Sequence, residues 1–584
     1  MLCSRSTGGC LVYFGNSGDK MITDDVSVRR VAAAWAMAGA VALATQGAFA
    51  QSAPTPAPDQ TTTPQPAPQV QALSAEAQAI KSAISARFGA ASPVAQAYAA
   101  RGFKPLWLDG DGKANAKSRA LTAVLAKAGD HALPASKYRG AALQGQLSNG
   151  SPALEADLTK AYVDYAQDVG AGLLEPRSID RELHVYPQRP DAGVLVSRAA
   201  GATNMAAFMD SLAPADPAYR RLVERYRAFR TLAVQDIWGP AVNRGRTLRP
   251  GQRNQRVAQA RARLTAMGDL DPNVYDSQAT SSQSDGTQVA ANNVTTDVPV
   301  RAFDPTHFDE PMVEALQSFQ SRHGLNLDGV IGPATLKQLN VSPRERAQQI
   351  AVNLERMRWL NRDLGQRHIL VNLAGFTMAV MNNGRAEFTS RVVVGKAREH
   401  RTPEFSETMT HMVINPSWYV PTSIAQKEIL PRLANDPDYL SRRGMRMQSN
   451  GRIVQRPGPR NALGTVKFMF PNRWAIYLHD TPSKRLFKRD VRAFSHGCVR
   501  VERPHEFAEY LLTGQEANPG DYFRSILRTR RERRVNLAEP LPVHLTYRSA
   551  WIDENGVEQF RGDVYGRDRK IANALQRTGV TIVQ

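Results

Sequence analysis

Cysteine is almost absent from this chain. Its 584 residues include three, of which Cys3 and Cys10 lie at the N-terminus and Cys498 lies far downstream. A disulfide-stabilised scaffold, or a zinc site built from thiolates, needs several cysteines, so the sequence excludes both. No group of His, Cys, Asp and Glu has metal-ligand spacing either, and we therefore predict neither a metal nor a cofactor.

Long apolar runs are equally scarce, and the one that stands out covers residues 31–44. It follows Arg29 and Arg30 and precedes Ala-Phe-Ala at residues 48–50, which is the A-x-A pattern of a cleavage site. The stretch is too short to span a bilayer. We therefore predict a cleaved secretory signal peptide over residues 1–50, and no membrane span.

Secretion makes the periplasm the expected location. Met21 offers an alternative start, which would make residues 1–20 an extension ahead of the true one. No cysteine follows the cleavage site until Cys498, so a lipid-anchored form is not expected. The mature chain would carry this one thiol in a compartment that forms disulfides. We interpret the thiol as chemical rather than structural.

Acidic residues are in deficit, since 74 Lys and Arg stand against 54 Asp and Glu, giving a net charge of +20. Such a balance suits an acidic polymer. A secreted protein rarely meets nucleic acid, so the carboxylates of peptidoglycan, or an anionic membrane surface, are the better candidates. A generally basic proteome would explain the same charge.

The length predicts two to four domains. Composition and periodicity place their boundaries, and a stretch rich in Ser, Gln, Asn and Thr predicts a disordered insertion. The predicted segments are a Pro-rich tether at 51–72, a helical scaffold domain at 73–250, a third domain at 251–340 with the insertion at 276–297, a linker helix at 341–366, and a β-rich domain at 367–584.

Local patterns predict individual elements. The Asn383-Gly384 pair predicts a two-residue hairpin turn. The aromatic side chains of Trp107, Tyr162 and Tyr165 are interpreted as core residues. The predicted elements are helices at 73–238, 256–270, 342–364 and 505–512, and strands at 369–373, 376–381, 386–394, 468–478, 543–547 and 557–565.

The chemistry concentrates at Ser495-His496-Gly497-Cys498. The thiolate is the reactive form of cysteine, and a nearby imidazole can take its proton. His496 lies two residues before Cys498, and His479 lies further upstream. Gly497 lets the backbone approach a substrate closely and can free an amide for a developing oxyanion. These residue types predict acyl transfer.

His479, fifteen intervening residues and then Ser-His-Gly-Cys resemble the signature of the L,D-transpeptidase catalytic domain, the YkuD-type fold. Two pieces, F-Q-x-x-x-G-L from Phe319 to Leu325 and D-G-x-x-G-P-x-T from Asp328 to Thr335, are similar to a three-helix peptidoglycan-binding module. The helical region resembles the scaffold of the large periplasmic members, and residues 424–464 resemble a lid. The implied fold class is multidomain α+β: a helical scaffold, a three-helix module and a β-rich YkuD-type domain with an inserted lid.

The resemblance implies the roles of the motif residues. Cys498 would be the nucleophile and His479 its base, oriented by the backbone carbonyl of Asp480. His496 and the amides of Gly497 and Cys498 would line the oxyanion site. The side chain of Ser495 is assigned to the substrate-binding set and is also expected to be a structural hydrogen-bonder.

The resemblance also implies the substrate. Arg500, Trp418 and Tyr419 would contact peptidoglycan, with Arg500 holding a carboxylate. The reaction would release D-alanine from a tetrapeptide stem, form a thioester and pass the acyl group to a diaminopimelate amine of a neighbouring stem. Carbapenems are expected inhibitors, and nucleic acid is not an expected partner.

Two alternatives stay open at the level of sequence. A sortase-like transpeptidase also orders His, Cys and Arg and forms a thioester, although the Ser-His-Gly-Cys run argues against it. A non-catalytic wall-anchoring protein with a degenerate enzyme domain is the second, and the intact His479–Cys498 pair argues against that.

Overall fold

The structure is a computed structural model and describes residues 73–235, 237–275, 303–361 and 363–582. The predicted signal peptide, the tether at 51–72 and the predicted insertion at 276–297 lie outside the described residues. None of the helices within the described ranges combines the length and apolar character that crossing a bilayer requires.

The N-terminal region is helical, as predicted. Serine caps begin some of its helices: Ser74 and Ser151 accept hydrogen bonds from the first-turn amides of Ala77 and Leu154. The predicted core aromatics Trp107, Tyr162 and Tyr165 are buried. The helices are Ala75–Phe88, Pro93–Ala100, Ala116–Ala126, Ala135–Tyr138, Gly140–Gly145, Pro152–Ala171, Pro176–Ile179, Ala192–Gly201, Met205–Asp210 and Pro217–Gln235, with a 3₁₀ turn at Ala128–His131.

Three further helices follow around one apolar core: Gln255–Ala266, Glu310–Arg322 and Pro333–Leu339. The first helix was predicted to extend to Leu270, and this is wrong. Gly268 adopts a left-handed backbone with φ 79°, and its amide donates to the carbonyl of Thr265. A helix cannot continue through that conformation, so it ends four residues earlier.

The linker helix is Pro343–Trp359. Its start was predicted correctly, because Ser342 and Glu345 form a reciprocal capping box. The predicted end at residue 364 is wrong, since Leu360 is the C-cap. The buried carboxylate of Glu355 holds the last turn by accepting hydrogen bonds from Trp359 Nε1 and from the Leu174 amide of the scaffold.

The C-terminal domain is built on a nine-stranded mixed sheet in the order β10-β3-β11-β9-β8-β4-β12-β1-β2. Since β2 also pairs with β3, eight strands close on themselves and β10 extends from β3. The strands are β1 Arg367–Asn372, β2 Thr377–Asn382, β3 Arg385–Gly395, β4 Phe405–Ile414, β5 Trp418–Tyr419, β6 Met445–Met447, β7 Ile453–Gln455, β8 Val466–Met469, β9 Leu478–His479, β10 Ala493–Ser495, β11 Val499–Val501, β12 Arg533–Thr546, β13 Ala550–Ile552 and β14 Glu558–Phe560.

The predicted hairpin is confirmed. Asn383 and Gly384 join β2 to β3 with φ of 48° and 79°, the left-handed pair that a two-residue turn requires. Two other strand predictions are wrong. Residues 468–478 form the ends of β8 and β9 joined by a loop that turns at Arg473 and Trp474. Pro471, in this loop, cannot donate to a central ladder. The strand predicted at 557–565 is shorter than expected, because only Glu558–Phe560 forms β14, which pairs with β13 in a separate two-stranded sheet.

The predicted lid is an insertion between β4 and β8. It contains the small sheet β5-β7-β6 and a helical stretch over Thr422–Ile424, a π-helical turn at Ala425–Ile429, and the helices Leu430–Asn435 and Tyr439–Arg442. The domain is completed by a 3₁₀ turn at Lys484–Lys488 and helices Pro504–Leu512, Pro519–Arg528 and Arg567–Arg577, of which the last two were not predicted.

Candidate active site

The predicted nucleophile, Cys498, lies in a bend between β10 and β11. The Ser495 hydroxyl donates to the Cys498 carbonyl oxygen (2.5 Å) and accepts from the Gly497 amide (3.1 Å). Gly497 has φ 116°, a conformation that L side chains rarely adopt, so glycine is required at this position. These bonds fix the backbone on both sides of the thiol.

A buried hydrogen-bond network through Thr402 and Arg567 also holds this bend. The Thr402 hydroxyl donates to the Gly497 carbonyl oxygen (2.7 Å), and the Thr402 carbonyl accepts from Arg567 Nη2 (2.9 Å). Arg567 also donates to Glu404 (3.0 Å) and to Glu182 of the scaffold domain (3.1 Å). The backbone of the motif is thus connected through three hydrogen bonds to the helical N-terminal region.

The predicted base, His479, ends strand β9 and is buried. Its Nδ1–H donates to the backbone carbonyl oxygen of Asp480 (2.5 Å), the hydrogen bond that the resemblance predicted. Burial and the nearby Arg500 guanidinium lower the pKa of His479 to about 3. The ring is therefore neutral at physiological pH, with Nε2 left as the basic nitrogen.

Strand pairing brings the two residues to one face of the sheet. Strands β11 and β9 are parallel, with Val499 opposite Leu478 and Arg500 opposite His479. Val499 and Leu478 point into the core, so by alternation the flanking residues Cys498, Arg500, Tyr477 and His479 share the opposite face. The Tyr477 ring lies 5.6 Å from the ring of His479.

In this resting arrangement the hydrogen bond of the thiol goes to a backbone carbonyl and not to the base. Cys498 Sγ donates to the carbonyl oxygen of Ala475 (3.6 Å), and no hydrogen bond joins it to His479 among the described residues. Burial raises the pKa of the Cys498 thiol to about 11, against the opposing effects of Tyr477, Arg500 and Lys467. The thiol is therefore protonated at rest and needs the base for activation.

The loop that receives the thiol is held by one side chain. Asn472 accepts from the amides of Trp474 (3.0 Å) and Ile476 (3.1 Å), and it donates to the Phe470 and Ile476 carbonyls (both 2.7 Å). Ala475 within this loop has φ 53°, an uncommon conformation for a residue with a side chain. Asn472 thus aims the Ala475 carbonyl at Cys498.

His496 faces the lid. Its Nε2 donates to the carboxylate of Glu428, and its ring lies 4.7 Å from the ring of His400. The hydrogen bond to His496 lowers the pKa of Glu428, although partial burial acts against it. Among the described residues the His496 side chain makes no hydrogen bond to the thiol or to His479.

The structure bears on two of the predicted roles. The Ser495 hydroxyl is buried and bonded within the motif, as expected of a structural hydrogen-bonder, so it supports the bend and is not free to bind substrate. The Gly497 amide is likewise engaged by Ser495 and is not free to face an oxyanion. The Cys498 amide has no acceptor in the described part of the chain and remains available for that purpose.

The predicted substrate-binding residues occupy two places. Arg500 lies on the catalytic face opposite His479. Trp418 and Tyr419 form strand β5 of the lid, where Trp418 packs against the apolar core of the lid and Tyr419 is 61% exposed. No hydrogen bond or ring contact connects either lid aromatic to His479 or Cys498 within the described ranges.

Sequence reasoning missed four residues around the site: Tyr477, Lys467, Glu428 and Asn472. The sequence could have predicted Tyr477, because a residue two positions before His479 on a strand lies on the same face. Lys467 lies opposite His479 across β8 and β9, and Glu428 belongs to the lid. No sequence signal fixes the turn length or the lid contact that place these two. No three or more His, Cys, Asp or Glu side chains in the described segments are grouped as metal ligands would be.

Three family models match separate ranges of the chain. Residues 366–519 match the model described as the L,D-transpeptidase catalytic domain, YkuD. Residues 92–225 match a model described as a scaffold domain, and residues 297–339 match one described as "Putative peptidoglycan binding domain".

Individual relatives carry the same description. A curated protein of Haemophilus influenzae named "Putative L,D-transpeptidase" is 32% identical over 258 residues, a match that covers 41% of this chain and 50% of that protein. The chain thus spans about half the length of this relative.

Two crystal structures of L,D-transpeptidases also match. One is from Stackebrandtia nassauensis (13% identity, 53% of this chain, 97% of that chain, TM-score 0.20). The other is residues 123–326 of a protein from Xylanimonas cellulosilytica. It is 11% identical, the match covers 53% of this chain and 100% of that chain, and the TM-score is 0.16. TM-scores this low support no statement about this chain.

Proposed function

We propose that this protein is a cysteine L,D-transpeptidase that cross-links peptidoglycan stem peptides, because residues 366–519 match the model described as the L,D-transpeptidase catalytic domain. The observation that carries the proposal is the neutral, carbonyl-oriented His479 on the same sheet face as the one described thiol, Cys498. The acyl donor is a tetrapeptide stem and the acceptor is a diaminopimelate amine of a second stem.

The first half-reaction forms a thioester. The Cys498 side chain rotates away from the Ala475 carbonyl, and His479 Nε2 takes its proton. The thiolate attacks the carbonyl carbon before the terminal D-alanine. The C–N bond then breaks as His479 returns the proton to the leaving amine, so D-alanine departs and the acyl group stays on Sγ.

The second half-reaction reverses these roles. The amine of the neighbouring stem attacks the thioester carbonyl and loses a proton to His479, and the Cys498 thiolate leaves and is reprotonated. In both halves the carbonyl oxygen gains negative charge. The Cys498 amide, which has no other acceptor in the described residues, is the donor placed to stabilise that charge.

The other residues of the site act around this pair. The Asp480 carbonyl keeps the proton of His479 on Nδ1, so Nε2 remains free to act as base. Arg500 binds a substrate carboxylate. His496 supports the catalytic bend from the lid side through Glu428, rather than contacting the thiol itself.

The same proposal covers partners and location. The module at residues 297–339 holds the protein on peptidoglycan, and the protein works in the periplasm after removal of its signal peptide. Carbapenems inhibit it, because their strained carbonyl would acylate Cys498 in place of the stem peptide.

Product analysis tests the proposal. The full-length chain is incubated with disaccharide tetrapeptide, and the products are separated by chromatography and identified by mass. We expect released D-alanine together with a dimer cross-linked between two diaminopimelate residues, and neither product with Cys498→Ala. A product lacking that cross-link would favour a sortase-like reaction, and no turnover at all would favour a wall-anchoring role.

A further inference from the structure

One row of residues crosses the catalytic face of the sheet. Strand pairing places Lys467 of β8 opposite His479 of β9, and Arg500 of β11 opposite the other side of His479. Neighbouring strands lie about 4.8 Å apart, so the two cations flank the base at equal spacing. The row continues through Val413 to Arg534 on one side and ends at Val393 on the other.

Both cations lack an anionic partner in the described part of the chain. Arg500 makes no hydrogen bond or ion pair there, and its Nε is buried without an acceptor. Lys467 Nζ lies 5.9 Å from the centre of the Tyr477 ring and forms no ion pair within the same ranges. Burying a cation without an acceptor is costly, so such a site favours an incoming anion.

We propose that Lys467 and Arg500 together form a carboxylate site that binds the free terminal carboxylate of the D-alanine leaving group. This inference rests on the proposed function and adds to it a second cation and the identity of the carboxylate. It makes Lys467 a residue that determines donor specificity.

The geometry favours the leaving group over other carboxylates of the stem. Cys498 and Arg500 lie on the same face two residues apart, which is about 6–7 Å along a strand. In the donor, the terminal carboxylate is separated from the attacked carbonyl carbon by only the amide nitrogen and one carbon. A carboxylate that close to Sγ falls between the two cations.

The charges near the site are consistent with this assignment. The thiolate of Cys498 would interact favourably with both Lys467 and Arg500. The nearest acidic influence on Lys467 is Glu532, whose carboxylate instead accepts from the Ser417 amide (2.6 Å). Glu532 therefore reduces the positive charge at the lid side without occupying the site.

Binding a carboxylate here also helps the base. The Arg500 charge is one of the causes that lower the pKa of His479. A carboxylate beside Arg500 offsets that charge, so the pKa of His479 rises when the donor is bound. The correct substrate thereby makes Nε2 a better proton acceptor.

The test compares a tetrapeptide stem with the same peptide bearing a C-terminal carboxamide. D-Alaninamide is the more weakly basic amine and the better leaving group, so leaving-group chemistry alone would favour the amide. We expect the wild-type protein to prefer the free acid by about 10–100-fold in kcat/KM. Lys467→Met should reduce that preference about tenfold or more, while Lys467→Arg and the exposed control Lys488→Met should keep it.

Each outcome decides the question. Equal turnover of acid and amide by the wild type overturns the inference while leaving the proposed function intact. A Lys467→Met variant that slows both peptides by the same factor also overturns it, because the cation would then act on the thiol or the fold. If the wild type turns over neither peptide, the proposed function itself fails. The wild-type comparison stands even if the variant does not fold.

Discussion

The sulfur of Cys498 lies 3.6 Å from the carbonyl oxygen of Ala475, and no hydrogen bond joins it to His479 in the described part of the chain. Ala475 can present that carbonyl because Asn472 holds it in a left-handed conformation. In the resting site the Cys498 thiol is therefore protonated and the His479 imidazole is neutral, so the two do not form a thiolate–imidazolium pair. Activation has to accompany substrate binding.

This arrangement predicts how alkylation of the free protein depends on pH. The pKa of Cys498 is raised to about 11 and that of His479 is lowered to about 3, so neither group changes its charge near neutrality. The rate of iodoacetamide addition should rise about tenfold per pH unit from 7 to 10, since the thiolate is the nucleophile. Intact-mass measurement follows the reaction, with Cys498→Ala as the unreactive control. A rate that levels off near neutral pH would show a preformed ion pair and contradict this reading.

The hydroxyl of Thr402 supports the catalytic bend, and its removal should be costly. Thr402→Val keeps the shape but loses the bond to the Gly497 carbonyl (2.7 Å) and leaves the Gly395 amide without its acceptor (3.0 Å). We expect the free energy of unfolding to fall by about 1–3 kcal/mol, because the site is buried. Turnover should fall as well.

Chemical denaturation measures the Thr402→Val effect, and Thr513→Val, at an exposed threonine, is the matched control. Equal stability of the two variants would show that the network through Thr402 and Arg567 does not hold the motif.

Glu428 connects the lid to the catalytic motif, and Glu428→Gln should loosen the lid. Loss of the ionised carboxylate weakens the bond to His496, so amide exchange over residues 422–435 should become faster. Hydrogen-exchange mass spectrometry measures this. Glu399→Gln is the control, because Glu399 is exposed and its surface pair with Lys396 is long, at 3.9 Å. Unchanged exchange in Glu428→Gln would mean that other contacts hold the lid.

Acid should loosen the lid in the same way. The pKa of Glu428 is lowered in the folded protein, so its contribution is fully present above the ordinary glutamate pKa and is lost as pH falls through the lowered value. After correction for the intrinsic pH dependence of exchange, the wild type should approach the Glu428→Gln rate on the acid side of that range and differ from it at neutral pH. Identical pH profiles for the two proteins would contradict the assignment.

The sequence was sufficient for most of the elements, and it led to the prediction of His479 and Cys498 as the catalytic pair. The His479–Cys498 spacing and the Asn383-Gly384 turn are short sequence patterns, and such patterns can be recognised without knowledge of the tertiary fold. The predicted hydrogen bond from His479 to the Asp480 carbonyl is likewise local, and it is present.

The predictions were wrong where contacts between distant parts of the chain determine where a strand ends or what a side chain binds. The run at 468–478 was predicted as one strand, whereas the chain leaves β8 after Met469 and turns at Arg473 and Trp474 before β9. That turn is what places Lys467 opposite His479. Ser495 was given both a substrate-binding and a structural role, and its two hydrogen bonds within the bend support the structural one.

The central claim is that Cys498 carries the acyl group of a stem peptide. Incubation of the full-length chain with disaccharide tetrapeptide in the absence of an acceptor, followed by rapid acid quench and intact-mass measurement, tests it most directly. The account predicts one adduct per chain equal to the stem without its terminal D-alanine, released D-alanine, no adduct on Cys498→Ala, and formation slowed roughly 10²–10⁴-fold in His479→Ala. An adduct on Cys498→Ala, or release of D-alanine by that variant, would contradict it.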